Sequence, residues 1–374
     1  MRSLSDTALD PRFTLRERQP GLDLLRALAI VFVVIYHAGI FGFALPAEVH
    51  RFGWIGVDLF FVLSGYLIGG QLLAPLVRGQ PIRFGRFYAR RALRILPAYF
   101  GILAIYFLLP SWREFPEISP FWKFLVSVQN INLQGGTAFS HAWSLAVEDQ
   151  FYLLLPFTLV LVHRGRYSGW LVPCAVLFGG LALRFVLASF FQNDTGGVAF
   201  RGFQRWIYYP TWGRLDPLVF GVVLAAIEKC RPAWWRRLTH CVPWLWFPGL
   251  VAIVYGLYLG ENDLTIATSV WQFPLIAFGM ATFLVCVLSP RLPFQRLEIP
   301  GVAFLASIAY SVYLSHKLVI HFVIQLCANH GLALTSAPAL LLVEALIYLS
   351  GALLFFAVER PFLQLRHRIA RSQT

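Results

Sequence analysis

Long apolar stretches recur along the whole chain, separated by short segments that carry most of the charge. Each stretch is close to the ~20 residues that an α-helix needs to cross a bilayer. The pattern predicts an all-α integral membrane protein, a bundle of about ten transmembrane helices. The predicted spans are 22–42, 55–76, 95–110, 143–163, 169–191, 212–228, 242–260, 269–289, 302–323 and 338–358. The broken apolar stretch 119–133 is predicted to be an interfacial or re-entrant segment.

The composition supports a single membrane bundle. Of 374 residues, 58% are hydrophobic and only 13% are charged, too few to cover the surface of a soluble protein of this size. No linker or repeat divides the chain, so we assign residues 1–21 to a cytoplasmic N-terminal segment, 22–360 to one membrane domain and 361–374 to a cytoplasmic tail. The first span is interpreted as retained rather than as a cleaved signal. No metal site is predicted, and the five scattered cysteines are interpreted as small buried side chains.

The net charge of +13 could indicate a nucleic-acid partner, but the basic residues lie in short loops between apolar runs. That distribution is typical of the cytoplasmic face of a membrane protein, so no nucleic acid is expected. With the N-terminus inside, 22 of the 31 lysine and arginine residues fall in inward segments and six in outward segments. The split predicts an even number of crossings and two cytoplasmic termini.

Several polar side chains fall inside the predicted spans, where a charge costs roughly 2.5–3.5 kcal/mol. Arg26 and His37 are eleven residues apart and share one helix face, about 16.5 Å apart along the axis. Ser144 and Glu148 form a similar stripe in the fourth span. We expect His37, Asp58 and Glu148 to lie at one depth in the outer half of the membrane. A histidine near carboxylates is typical of a general base, of a proton relay in a transporter, or of a structural polar network.

An arginine-rich segment, RFGRFYARRALRILP, lies between the second and third spans. Arg91 and Arg94 are three residues apart, with Tyr88 close by, so they can share one face of a helix. Such a cluster can bind either anionic lipid or the phosphates of a ligand, and both interpretations remain open.

Two further spans carry polar groups that fit the outer layer. The sixth span opens with Arg214 and Asp216, and the ninth carries Tyr310, His316 and Lys317 in its second half. For Lys317, extension of the side chain to the outer interface is an equally good explanation.

Six motifs together resemble the acyltransferase family 3 membrane proteins, relatives of enzymes that acylate O-antigen and other cell-surface carbohydrates. In chain order they read LDLLRALA followed by YHAG, GVDLFFVLSGYLI, ARRALRILPAY, HAWSLAVEDQFYLLLP, GRLDPLVFG and YSVYLSHKLVI. The resemblance covers residues 22–360. Leu24, Asp149 and Leu318 depart from the residues usual in the family, but none replaces an expected catalytic group.

The resemblance implies an O-acyltransferase of the bacterial cytoplasmic membrane. It would move an acyl group, by default acetyl, from cytoplasmic acyl-CoA to a hydroxyl of an extracytoplasmic carbohydrate or glycolipid. Acyl-CoA would be a donor substrate, and no permanently bound cofactor is expected. The expected catalytic residues are His37 as general base, with Glu148 and Asp58 orienting it. The expected CoA-binding residues are Arg26, Tyr88, Arg91 and Arg94, and the expected substrate-binding residues are Trp143, Ser144, Arg214, Asp216, Tyr310, His316 and Lys317.

Two other functions remain open at this stage. A transporter or flippase of a lipid-linked or acylated sugar would use the same histidine and carboxylates to relay protons, although no inverted repeat is evident. A non-catalytic membrane scaffold would tolerate neutral substitutions of His37 and Glu148. Dependence on CoA distinguishes the enzyme from both.

Overall fold

The computed structural model describes residues 19–165, 169–261 and 264–371, and within these ranges the chain is helical without a β-strand. All but the end of the predicted N-terminal segment 1–21 lies outside the described residues. The helices are α1 (Pro20–Ile40), α2 (Ala47–His50), α3 (Ile55–Val77), α4 (Phe84–Leu108), α5 (Phe121–Leu125), α6 (Trp143–His163), α7 (Leu171–Phe190), α8 (Phe200–Phe203), α9 (Asp216–Cys230), α10 (Pro232–His240), α11 (Val242–Glu261), α12 (Ile266–Leu288), α13 (Val302–Asn329), α14 (Ala337–Leu354) and α15 (Arg360–Arg371).

Nine helical regions among the described residues are long and apolar enough to cross a membrane. The sixth predicted span, 212–228, corresponds to α9, which has 15 residues and a length of about 22 Å. That length is short of the ~30 Å hydrocarbon core. The multi-pass helical architecture is therefore confirmed, whereas the count of ten crossings and the sidedness of the termini remain predictions.

Helix α4 begins earlier than the sequence pattern predicts. The third span was placed at 95–110, but the helix starts at Phe84 and includes the whole arginine-rich segment. The polar residues in the first half of α4 lower its mean hydropathy, so only the second half is recognisable from the sequence as a membrane span. As a consequence, Arg91 and Arg94 lie on a continuous helix rather than in a loop.

Close contact between α3 and α9 depends on glycine. A Cβ at Gly65 would collide with the carbonyl oxygen of Leu218, and a Cβ at Gly221 would collide with that of Val62. Small residues of this kind let two helix backbones approach closely in a membrane. The contact brings the first half of α9 against the middle of α3, and helix α12 packs against both.

Burial separates central helices from peripheral ones. Of the membrane-spanning stretch of α12, 72% is buried inside the protein, whereas for α7 the buried share is only 11%. Phe178, Val186 and Phe190 on α7 are largely exposed, as expected for side chains that face lipid. Helix α7 nevertheless places one buried charge, Arg184, toward the interior of the bundle.

The stretch 119–133 folds down beside α6, which favours the re-entrant alternative. Ser127 donates a hydrogen bond from Oγ to Oδ2 of Asp149 at 2.9 Å, and Gln150 Nε2 donates to the Ser127 carbonyl oxygen at 2.7 Å. Asp149 lies six residues into α6, about 9 Å along the helix axis from Trp143. Irregular backbone at that depth is tolerated because protein surrounds it and satisfies its polar groups.

The C-terminal region is helical where it is described. Helix α14 continues through one turn of π-helix, Phe355–Glu359, into α15. Helix α15 packs against α4, so the predicted cytoplasmic tail 361–374 is, in its described part, a helix attached to the arginine-rich end of the bundle.

Replacement of Gly65 by alanine is expected to lower the free energy of unfolding by about 1–3 kcal/mol, because the new methyl group meets backbone that cannot move aside. Gly70→Ala is the matched control, since a Cβ there meets only the end of the Lys229 side chain at 3.8 Å. Thermal or SDS-induced unfolding of the two detergent-solubilised variants measures the difference. Equal stability of both variants would contradict the packing described here.

Candidate functional site

A cavity of about 360 Å³ lies among α1, α3, α4, α6 and α13. Its lining combines apolar side chains with several of the polar groups singled out in the sequence. Six of the predicted site residues line it: Arg26, Arg91, Arg94, Ser144, Glu148 and Tyr310. The structure thus brings the predicted CoA-binding arginines and part of the predicted catalytic and acceptor residues into one space.

One end of the cavity is basic. Arg26 forms an ion pair of 3.0 Å with Asp23 on the same helix. Arg91 donates from Nη2 to Oε1 of Gln71 at 3.2 Å, and its guanidinium lies 5.3 Å from the ring centroid of Tyr152. Asp23 offsets the charge of Arg26, and the carboxylate of Glu359 also lines the cavity, so the remaining guanidinium charge is what an anion would meet at this end.

Glu148 lies in the wall of the cavity and accepts a hydrogen bond of 2.5 Å from Oγ of Ser64. Ser64 is six residues further along α3 than Asp58, a distance of about 9 Å. The prediction that Asp58 and Glu148 lie at one depth is therefore wrong. Helix spacing alone does not give the rotation and tilt that set this difference.

Asp58 is paired with Arg214 rather than with His37. Oδ1 of Asp58 accepts from Nη2 of Arg214 at 2.9 Å, and both side chains are completely buried. The guanidinium also lies over the ring of Phe273 at 4.0 Å and near the rings of Tyr208 and Trp143. These contacts stabilise the guanidinium charge of Arg214, which would otherwise be costly to bury. Because Asp58 is paired with Arg214, the expectation that it orients His37 is wrong.

A second buried ion pair joins α7 to α9. Arg184 binds Asp216 through two hydrogen bonds of 2.6 Å and 3.0 Å and also donates to the Gly213 carbonyl oxygen. Both side chains are almost completely buried. Asp216, predicted as a substrate-binding residue, is thus engaged with a partner on another helix.

His37 belongs to a cluster of three imidazole rings that we call the histidine cluster: His37, His141 and His316. Nδ1 of His37 lies 3.2 Å from Nε2 of His316, and the two ring centroids are 4.8 Å apart. The ring of His141 is also 4.8 Å from that of His316. His316 and His141 are buried, whereas His37 is partly exposed. Among the described residues, no group of side chains has an arrangement that could hold a metal ion, and this holds for the histidine cluster as well.

One layer of side chains separates the cavity from the histidine cluster. Tyr313 and Ser144 line the cavity, and their hydroxyl groups are 2.6 Å apart. The Tyr313 hydroxyl donates to the carbonyl oxygen of His141 at 2.6 Å, and its ring centroid lies 5.8 Å from that of His316.

Lys317 is buried and does not extend to the interface. Its ammonium group lies 3.0 Å from Oε1 of Glu114 and donates to Oγ of Ser140 at 3.0 Å. Glu114 also accepts from the backbone N–H of Phe139, a residue in the left-handed region at φ 55°. Lys317 therefore attaches the loop that carries His141 to the helix that carries His316.

The remaining predicted residues are spread over the bundle. Tyr310 lines the cavity and donates to the Ile95 carbonyl oxygen at 2.9 Å. Tyr88 does not line it, and its exposed hydroxyl donates to the Leu153 carbonyl oxygen. The Trp143 ring lies 5.4 Å from the guanidinium of Arg214.

The predicted site residues do not include His141, Tyr313, Ser64 and Glu114. His141 stands two residues before Trp143 in a stretch already singled out, so its position was a usable signal. Ser64 is an ordinary residue of a glycine-rich span, and Glu114 lies in a loop. Nothing in their local sequence indicates the partners that the tertiary structure gives them.

Comparison with known proteins adds an independent line of evidence. A family model described as an acyltransferase domain matches residues 19–358. The O-acetyltransferase OatA of Staphylococcus aureus strain NCTC 8325 / PS 47 is 26% identical over 328 residues, which cover 81% of this chain and 51% of that protein. Another protein, from S. aureus strain COL and provisionally named an O-acetyltransferase, is 28% identical with the same coverage.

The chain spans about half the length of the curated relatives it matches. No solved structure matches the chain significantly.

Asp58→Asn is expected to lower the free energy of unfolding by roughly 3–5 kcal/mol, because it leaves the charge of Arg214 buried without a counterion. The specific activity of the folded fraction should stay close to that of the parent. Glu48→Gln, which removes an exposed carboxylate, is the control and should change neither quantity. A stable Asp58→Asn protein without activity would show that the carboxylate acts in the reaction instead.

Proposed function

The chain belongs to the acyltransferase domain family, and from that premise we propose that it is a membrane O-acyltransferase that uses acyl-CoA. The acyl group moves from the cytoplasmic side to a hydroxyl of an extracytoplasmic carbohydrate or glycolipid. Two relatives carry the name O-acetyltransferase, which makes acetyl the first group to test. The cytoplasmic membrane of a bacterium is the proposed location.

The observation that carries this proposal is the polarity of the cavity. Arginine side chains from α1 and α4 stand at one end, while Ser144 and Tyr313 close the other end beside the histidine cluster. Coenzyme A has the complementary shape and charge, with phosphates at one end of a flexible arm and the thioester at the other. Phosphates at the guanidinium groups would direct the thioester toward the histidine cluster.

Sidedness follows from the charge distribution. The arginine-rich end belongs to the segments predicted to face the cytoplasm, where acyl-CoA is made. The histidine cluster lies beside the end of α1 opposite to Arg26 and beside the middle of α13, so an acceptor hydroxyl would approach it from outside. The bundle would then act as a passage in which donor and acceptor meet from opposite sides.

His37 is the proposed general base. As the acceptor oxygen attacks the thioester carbonyl carbon, the imidazole of His37 takes its proton, the C–S bond breaks, and CoA leaves as the thiolate. His37 is partly exposed as a residue, and in this scheme the acceptor hydroxyl reaches its ring. General-base catalysis of this kind accounts for about 10²–10⁴ in rate.

Glu148 acts on the donor side in this scheme. Its carboxylate lines the cavity with Ser64, where it can accept a hydrogen bond from an amide N–H of the pantetheine arm. Ser144 and Tyr310 line the same space and bound the path of the arm. Arg214 and Asp216 support the site indirectly, through the ion pairs that hold α9 in place.

His37→Ala is expected to abolish acyl transfer while the protein remains folded and inserted. The assay supplies purified protein in liposomes with labelled acetyl-CoA and a hydroxyl acceptor, and measures both transferred label and free CoA. His321→Ala, on the partly exposed surface of α13, is the control and should transfer at the parental rate. Parental activity of His37→Ala would remove His37 from the mechanism, and a parent that never releases CoA would refute the enzyme itself.

Arg91→Gln and Arg94→Gln are expected to raise the KM for acetyl-CoA about 10–100-fold each, because a charge-assisted hydrogen bond to phosphate contributes roughly 1.5–3 kcal/mol. The KM for acetyl-pantetheine, which lacks the phosphates, should not change. Arg78→Gln removes an exposed arginine outside the cavity and serves as the control. An equal rise for both donors would mean that the two arginines do not bind phosphate.

A further inference from the structure

The proton on His316 is located by its neighbours. Nδ1 of His316 lies 2.7 Å from the carbonyl oxygen of Tyr313, which can only accept, so Nδ1 carries a hydrogen. Nε2 of the same ring lies 3.2 Å from Nδ1 of His37, so one hydrogen lies between these two nitrogens. In a neutral ring with hydrogen on Nδ1, Nε2 is an unprotonated acceptor.

The same reasoning locates the proton on His37. Its Nδ1 faces two acceptors, the Val33 carbonyl oxygen at 2.9 Å and Nε2 of His316 at 3.2 Å. An unprotonated Nδ1 would place lone pairs against each other, so Nδ1 donates. The other ring nitrogen, Nε2, is then the one with a free lone pair.

We propose that His316 is the positioning residue of the reaction: together with the Val33 carbonyl oxygen it fixes the tautomer of His37, so that Nε2 is the atom that accepts the proton of the acceptor hydroxyl. This inference rests on the proposed function. The hydroxyl proton moves to Nε2 while the oxygen forms a bond to the acyl carbon and the C–S bond breaks. The proton on Nε2 then passes to the CoA thiolate, giving ester and free CoA.

His316 has a second effect once His37 is protonated. The imidazolium donates its Nδ1 hydrogen to Nε2 of His316, which stabilises the new charge within an apolar surrounding. The two carboxylates expected to stabilise protonated His37 contact other residues instead: Glu148 accepts a hydrogen bond from Ser64, and Asp58 is paired with Arg214. A neutral histidine therefore takes the place that a carboxylate commonly occupies behind a catalytic histidine.

The surroundings hold His316 in one orientation. Besides the hydrogen bond to Tyr313, its ring packs against that of His141 at 4.8 Å between centroids. The groups with charge or a titratable proton that face this part of the cluster are His141, Tyr36, Tyr313, Lys317 and Glu114. Lys317 and Glu114 form an ion pair in which their charges neutralise each other. The ring nitrogens are thus placed by contacts that do not depend on substrate.

The first test compares His316→Leu with His316→Gln in the labelled acetyl-CoA transfer assay. Leucine removes the acceptor, so kcat should fall about 10–100-fold with the KM for acetyl-CoA unchanged. The glutamine carbonyl oxygen can still accept from Nδ1 of His37, so His316→Gln should recover much of the loss. His321→Leu is the matched control, the same change on the same helix but at the histidine bonded to Gln325.

Each result of this test has a definite meaning when activity is normalised to folded, monodisperse protein. Parental kcat in His316→Leu, equal loss in both His316 variants, or a change confined to KM would overturn the inference and leave the proposed function standing. Loss of CoA release in the parent would instead refute the proposed function.

A second test needs no substitution at His316. Solid-state ¹⁵N NMR of histidine-labelled protein, with the His37→Ala spectrum subtracted, reports the tautomer of His37 directly. The inference predicts a neutral ring with hydrogen on Nδ1 and a bare Nε2. A ring with hydrogen on Nε2 would contradict it, whatever the activity of the variants.

Discussion

A charge buried among apolar helices must be paired, and this constraint organises the rest of the structure. Three ion pairs lie within the described bundle with nearly no exposure: Arg214–Asp58, Arg184–Asp216 and Lys317–Glu114. Each pair joins segments far apart in sequence, and removal of one partner would leave a charge that the interior cannot solvate. The pairs therefore fix how α3, α7, α9 and the loop before α6 sit around the cavity and the histidine cluster.

The same pairing separates two chemical environments. Among the described residues, Asp58 is paired with arginine and Glu114 with lysine, and the histidine cluster is a group of rings that contact one another. The arginine end of the cavity keeps its positive character for an anionic donor. The side chains of Tyr313 and Ser144 lie between the cavity and the histidine cluster. A neutral base next to a cationic donor end is the arrangement that acyl transfer from a polyanionic thioester requires.

Much of this arrangement could be predicted from the sequence, since apolar length and charge alternation depend on local composition. The placement of Arg91 and Arg94 on one helix face could also be predicted, and so could the stripe through Ser144 and Glu148, because both follow from helical spacing. The depth of each polar side chain in the bundle and the identity of its hydrogen-bonding partner could not be predicted in this way. Glu148 meets Ser64 across 84 positions of sequence, and His37 meets His316 across 279. Such contacts depend on the rotation and tilt of whole helices, which no single span encodes.

The most direct test of a passage between two sides is transfer across a sealed membrane. Purified protein is reconstituted in liposomes with labelled acetyl-CoA trapped inside and a membrane-impermeant carbohydrate acceptor outside. The account predicts acetylated acceptor outside and free CoA inside, in equal amounts. Transfer that occurs only when donor and acceptor share one side of the membrane would contradict it.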